Sequence, residues 1–473
     1  MTDHAPNLER LFAAAPSEQR CELRRIEGTI PSFLRGTYYV NGPARFERGG
    51  MRYRHWLDGD GMVCALRFGD AGPRLTARYV QGTRWAEEEA AGRPLYRSFG
   101  TAFPGDRLAR GIALESPLNV SVYPYAGSLL AFGEQGLPWE LDPDTLETRG
   151  AFNFGGALNP VSPFAAHPKI DPRTGELFNF GISFAAAQPV LNLYRFGADG
   201  RPVYRKRIPI DMPVSLHDFC LSERYAIFHL GPYLLDMAAL GAGGSLMDCL
   251  RWEPERGSRL LIVERESGEP VATVPVGNRY MLHGINAFEQ AFEQGDSLTV
   301  DVVELDRPVY DQYELERLFV DVAPGRPVRF VIDLARGALL ETREIAYDRA
   351  PDFPAIHPDL LGRPYEDLWM LGISRAGEPG RKFFDQVAHL SWARPDRPEV
   401  WQAPPGWYLG GEPAFAPDPE GEGGAVICQR FDAETGESAF LVFDAFDLPA
   451  GPRAVIALDE PVHLGFHAFF AVE

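Results

Sequence analysis

Four of the ten histidines in this 473-residue chain stand in similar company. His167 occurs in "AAHPKID", His217 in "VSLHDFC", His283 in "YMLHGINAFE" and His467 in "LGFHAFF". Each is bordered by apolar residues at or near the end of a β-like run. They lie 50, 66 and 184 residues apart, too far for one local motif. Neutral imidazoles suit a borderline divalent ion such as Fe(II), Cu, Ni or Zn. A structural zinc site would normally include cysteine, and only Cys220 lies near one of these histidines. A hydrolytic zinc site usually keeps three ligands and an open position. Four histidines without a carboxylate ligand suit an iron that keeps positions for O2 and substrate. Each histidine taken alone also reads as ordinary packing. The metal reading therefore needs an architecture in which four distant strand ends meet.

The turns suggest one. "LDPDTLET" from Leu141, "IDPRTGELF" from Ile170, "FGADGRPV" from Phe196, "ERESGEPV" from Glu264 and "FDAETGESAFLVFD" from Phe431 are acidic or polar turns between apolar, β-rich runs. These are hairpin signatures. They recur without a strict period, so the chain is not a simple repeat array. The 48 Gly and 41 Pro are spread along the whole length, which favours many short strands. An all-β propeller of four-stranded blades fits, and it brings the inner strands of separate blades to one axis. Seven blades would have roughly 65 residues each, against ~40–45 for a compact blade, so long loops are expected on one face. Helix-like material is sparse: "TDHAPNLERLFAAA" near the start, and residues 231–252, "GPYLLDMAALGAGGSLMDCLRW". The second reads as a buried helix and loop capping the propeller, or as an apolar mouth that touches a membrane. The chain is expected to be a single propeller domain over 1–473, with this cap inserted.

A net charge of −20 and a pI near 5.0 repel phosphate backbones, so nucleic acid is not an expected partner. Contact with a membrane would have to use an apolar patch. The five cysteines are scattered and show no CxxC pairing, which favours a reducing compartment. The N-terminus lacks a signal-peptide pattern, and no run of 18 apolar residues occurs. A cytoplasmic protein, peripheral to a membrane where an apolar patch permits, is the expectation.

With these residues in view the sequence resembles the carotenoid cleavage oxygenases. The motifs are "GTYYVNGPARF", "HWLDGDGM", "LLAFGEQGLPWELDPDTLET", "AAHPKIDPRTGELFNFG", "LHDFCLSERYAIF", "LHGINAFE", "GEPAFAP" and "GFH", in the family's order over nearly the whole chain. The resemblance implies a seven-bladed propeller with an axial Fe(II) held by His167, His217, His283 and His467. It implies carboxylates behind three of these imidazoles, where a carboxylate accepting the free ring N–H fixes the tautomer. Glu134 and Glu412 match two of them. Asp352 stands where the family usually has Glu; being one methylene shorter, it implies a shifted imidazole or a bridging water.

The implied reaction is oxidative cleavage of an alkene by O2 into two carbonyl products. The family divides between long polyenes and phenolic stilbenes. Stilbene cleavers carry a Lys just before the first carboxylate; here that residue is Gly133, which reads as leaving space for an apolar chain. Leu282 and Phe353 are expected at the cavity wall, and Val120 beside the metal. A carotenoid or apocarotenoid is thus the expected substrate, with a stilbenoid as the alternative. A non-catalytic propeller scaffold, a zinc hydrolase and the O2-independent retinoid isomerohydrolase branch are the rival readings.

Overall fold

A computed structural model describes residues 3–13, 15–111, 113–184, 188–292, 295–421 and 423–473. Seven antiparallel sheets of four or five strands form the ring. Their innermost strands are Ala468–Val472, Ser121–Tyr125, Lys169–Ile170, Cys220–Leu221, Tyr280–Phe292, Asp352–Ala355 and Trp407–Pro417. The expected seven-bladed propeller is what the chain forms.

Two sheets mix the ends of the chain. The first blade pairs Ala468–Val472 with Gly36–Arg45, Gly36 opposite Val472. The seventh carries Arg25–Gly28 on its outer edge, against Pro452–Ala457. This double closure leaves no open seam in the ring. The predicted turns are the hairpin connections. At Asp171 the side chain accepts from Arg173 N at 2.9 Å, and Gly175 takes φ +68. At Asp432 it accepts from Glu434 N and Thr435 N at 2.9 and 3.1 Å, and Gly436 takes φ +80. Each is an Asx turn that leads into a residue with positive φ, the chemistry that Asp and Gly supply.

Successive strands of a blade alternate in direction, so connections alternate between the two faces. The long ones, 80–120, 231–257 and 306–324, all lie at the end where the inner strands begin. They carry a nine-residue helix, Thr83–Ala91, and short 3-10 turns such as Tyr310–Tyr313. Residues 231–252 differ from the helix-and-loop expectation. Tyr233–Leu235 pairs with Leu250–Trp252 as a small hairpin around a one-turn helix, Met237–Gly241. The N-terminal helix is also short, Glu9–Ala13. Gly241, Gly243 and Gly244 weaken helix propagation in the cap, and the flanking apolar residues pack as strand instead. Leu234 and Leu235 are buried, so the hairpin does not offer them to a membrane. Among the described residues no helix is long and apolar enough to cross one.

Candidate metal centre

Three of the four histidines stand just before an inner strand. His167 is two residues ahead of Lys169–Ile170, His217 three ahead of Cys220–Leu221, and His467 one ahead of Ala468–Val472. His283 lies inside Tyr280–Phe292, at an irregularity between Met281 and Gly284 that interrupts the ladder. All four side chains are buried, and their candidate ligand nitrogens lie within 4.8 Å of one another. His217 Nε2 is 2.9 Å from His167 Nε2 and 3.2 Å from His283 Nε2.

Three carboxylates stand behind the quartet. His217 Nδ1 donates to Glu134 Oε1 at 2.8 Å, and His283 Nδ1 to Asp352 Oδ1 at 2.5 Å. His467 Nδ1 donates to Glu412 Oε2 at 3.3 Å, and the same oxygen accepts from Ala468 N at 3.1 Å. Among the described residues no carboxylate pairs with His167. The partners dictate the tautomers: with Nδ1 donating, Nε2 carries a lone pair. The Nε2 atoms of His217 and His283 therefore face each other as two acceptors, which is no hydrogen bond. A shared cation resolves that contact. Two nitrogens each ~2.0–2.1 Å from one ion, the imidazole–zinc bond length, stand about 3 Å apart at right angles. The donor set fits a borderline divalent metal with all-imidazole ligation.

Burial and the neighbouring His467, His217 and His283 push His167 well below its ordinary range, so it is the neutral form that ligates. Burial lowers His467 as well, against the pull of Glu412. At His283 burial is outweighed by the Asp352 carboxylate, which lifts the imidazole above its usual range. The same pairing holds Asp352 below the usual carboxylate range despite burial.

Of the shifted imidazole or bridging water expected of a shortened side chain, the water is not needed, because Asp352 reaches His283 directly. Its strand supplies the missing length. Only Asp352 and Ala355 pair with Asp367–Gly372, and the register slips between them. Phe353 takes φ +55, a conformation that bulky residues avoid. Phe353 N donates to Asp352 Oδ1 at 2.9 Å, and Tyr313 Oη donates to Oδ2 at 3.2 Å.

The proposed wall residues fall into two groups. The Phe353 ring centre lies 5.8 Å from that of His283 and 5.2 Å from that of His467. Leu282 and Val120 are buried in the same apolar cluster, and the Val120 carbonyl accepts from His467 N at 3.2 Å. Gly133 departs from expectation. A Cβ there would stand 1.9 Å from Ser116 Oγ and 3.0 Å from Leu118 N. The glycine makes no room for substrate; it permits a close approach of two chain segments.

Sequence reasoning passed over three sets of residues. Asp218, next to His217, accepts from Gly284 N at 2.9 Å and pairs with Lys169 at 2.8 Å, linking three ligand-bearing segments. The adjacency "HDF" was its signal. Tyr313 supports Asp352 from a loop with no motif. Tyr280 and Tyr310, with Tyr233, form an aromatic wall beside His217. His55 accepts from Leu57 N at 3.1 Å and donates to the Tyr310 carbonyl at 2.7 Å, tying down its loop.

Fold and site together define a β-propeller that carries an axial, carboxylate-backed histidine quartet. Comparison with known proteins makes that class specific. The family described as retinal pigment epithelial membrane protein (RPE65) matches residues 12–472. The apocarotenoid-15,15'-oxygenase of Synechocystis is 29% identical over 98% of this chain and 95% of its own length. The 9-cis-epoxycarotenoid dioxygenase NCED1 of rice is 32% identical over 95% of this chain and 73% of its own. Isoeugenol monooxygenase of Pseudomonas nitroreducens is 28% identical over 93% of each chain. A cobalt-substituted structure of the Synechocystis apocarotenoid oxygenase superposes with a TM-score of 0.88 at 27% identity, over 99% of this chain and 98% of that one. The chain belongs to the carotenoid cleavage oxygenase family and is an oxidoreductase of its dioxygenase type.

Proposed function

We propose that this protein is a non-heme Fe(II) dioxygenase that cleaves one C=C bond of a carotenoid or apocarotenoid, placing one oxygen atom on each of two carbonyl products. The observation that carries the reading is the buried quartet of His167, His217, His283 and His467, whose candidate ligand nitrogens lie within 4.8 Å of one another. The bound iron supplies O2 activation. His167, His217, His283 and His467 hold it, and Glu134, Asp352 and Glu412 aim three of them. Val120, Leu282 and Phe353 give the centre an apolar surround that excludes water and accepts an alkene. Both oxygen atoms end in product, so the stoichiometry needs no external electrons. Cleavage under 18O2 should label both carbonyl products and consume one O2 per bond. Turnover without O2 uptake would place the chain with the isomerohydrolases instead, and a chain that binds no metal would be a scaffold.

A stilbenoid substrate is the second reading. One observation favours it: two buried tyrosines, Tyr280 and Tyr310, stand together beside His217, where a phenol could join their hydroxyls. No lysine stands at Gly133 to hold a phenol, which supports the polyene. Polyenes partition into bilayers, so we place peripheral membrane contact at the cap helix, where Met237 is 42% exposed. Paired kinetics on carotenoids, apocarotenoids and hydroxystilbenes separate the substrate readings.

A further inference from the structure

Two of the three carboxylates behind the histidines receive a second protein donor besides the imidazole. Asp352 is held by Tyr313 and Phe353, and Glu412 receives Ala468 N–H. Glu134 is the exception. Its Oε1 faces His217, while its Oε2 is buried without a partner among the described residues. That residue lines a cavity of about 30 Å³ on the cap side, whose other polar lining residues include Arg84, Ser98, Glu115, Asn119 and Gln135.

Two further orphans belong to this cavity. Arg84 is fully buried. Its Nη2 donates to the Asp58 carbonyl at 2.7 Å and its Nε to Glu88 at 3.4 Å, and its guanidinium lies 4.9 Å from the Tyr53 ring centre; among the described residues Nη1 has no hydrogen-bond acceptor. Ser98, 4% exposed, has an Oγ without a partner among the described residues. Asn119 is already spent on the Leu57 and Gly59 carbonyls. Arg84, Ser98 and Glu134, each with one buried polar atom that lacks a partner among the described residues, thus line one small void. A buried donor or acceptor left unmade keeps its desolvation cost, and a charged one the more. A void of this size holds about two water molecules at ~10–15 Å³ each, and the lining offers the partners such water needs.

We propose that this cavity is a water site in which one or two ordered waters join Arg84 Nη1 and Ser98 Oγ to Glu134 Oε2. Arg84 and Ser98 are then positioning residues: through water they do for Glu134 what Tyr313 does for Asp352. Fixing Oε2 fixes the carboxylate plane, and with it the hydrogen bond that aims His217. The inference rests on the four-histidine reading only for its effect on metal; the water itself is read in metal-free protein.

The test has two arms. A high-resolution crystal structure of the metal-free protein should show water within hydrogen-bond distance of both Arg84 Nη1 and Glu134 Oε2. Ser98→Val, which fills the void with a methyl group, should weaken Co(II) retention against a chelator by roughly three- to tenfold, below the ~10–100-fold of losing a direct ligand partner. Ser98→Thr should restore it. In a Glu134→Gln background Ser98→Val should add little, because the two act through one path. Arg84 itself is unsuited to substitution, since it also anchors Asp58 and Glu88. A dry cavity would overturn the proposal, as would an equal loss from Ser98→Val in both backgrounds or no loss in either. Failure of the natural protein to bind any divalent metal would overturn the metal reading while leaving the crystallographic arm standing.

Discussion

Removing the Asp352 side chain isolates the contribution of a carboxylate to the quartet. In Asp352→Ala the Nδ1–H of His283 loses an acceptor at 2.5 Å, and the Tyr313 hydroxyl loses the acceptor it reaches at 3.2 Å. Both are buried. The first bond is charge-assisted and carries ~1.5–3 kcal/mol; the second adds ~0.5–1.5 kcal/mol. At ~1.4 kcal/mol per tenfold, His283 should bind metal about 10- to 100-fold more weakly, because part of the loss falls on folding rather than on the ion. Asp352→Asn keeps an acceptor oxygen and the packing but not the charge, so it should lie between, at about tenfold. Tyr313→Phe removes only the outer hydroxyl and should cost less than either. Asp352→Glu should not improve matters. The contact is already at its minimum length, and an added methylene in a packed site costs ~1–3 kcal/mol. The assay is chelator competition with Fe(II) or Co(II), alongside denaturant unfolding of the metal-free variants to subtract losses of fold. Natural metal affinity in Asp352→Ala would refute the reasoning, as would Asp352→Glu binding more tightly than the parent.

Purified protein should carry about one Fe per chain, and His283→Ala should lose both metal and cleavage while circular dichroism stays unchanged; full activity in a metal-free variant would reject the centre. Gly133→Ala should lower stability by ~1–3 kcal/mol through its clash with Ser116 Oγ, and Ser116→Gly should recover part of that in the double variant; denaturant midpoints report both. His229 is buried, neither ring nitrogen has a hydrogen-bond partner on another described residue, and burial pushes it down to about 4. Its folded value lies below the unfolded one, so the unfolded chain takes up the proton first. Stability should therefore fall as pH drops from about 6.5 towards 4, by on the order of 3 kcal/mol from this group. His229→Leu should remove that slope and stabilise the neutral protein by ~1 kcal/mol; identical pH profiles for the two proteins would show that His229 is not the source.

The site was legible in the sequence to the extent that its residues sit in local motifs. The Asx turns at Asp142, Asp171 and Asp432 are written in consecutive residues, so the blades could be anticipated from them. The histidines announced themselves by company, and their convergence followed from an architecture that gathers inner strands on one axis. What escaped was set by contacts between distant segments. The void beside Gly133 is closed by Ser116, 17 residues away, and no local pattern reports that approach. The reach of Asp352 depends on a register slip and on the backbone of Phe353, which side-chain length alone cannot foretell. Residues 231–252 have the apolar content of a helix, but pairing of Tyr233 with Trp252 captures their ends as strand and leaves one helical turn, Met237–Gly241, between them, an instance of tertiary context overriding local propensity.

The arrangement also explains why the centre can be assembled from segments 300 residues apart. Inner strands of neighbouring blades share no ladder, so something else must hold the histidines in register. Side-chain and loop hydrogen bonds do so, each placed beside a ligand. Ser121 Oγ donates to the Ala166 carbonyl at 2.5 Å, next to His167. Asp218 ties Lys169 and Gly284, flanking His167 and His283. Asn41 Nδ2 bridges the Leu118 and Ser121 carbonyls at 2.9 Å, while Asn41 N donates to the His467 carbonyl at 3.1 Å. The last of these matters most, because His467 leads directly into Ala468–Val472, the strand that closes the ring against Gly36–Arg45. Ring closure and the fourth imidazole are thus supplied by one segment. A chain that has not closed cannot present four histidines, so metal retention reports completion of the propeller as well as the chemistry of its axis.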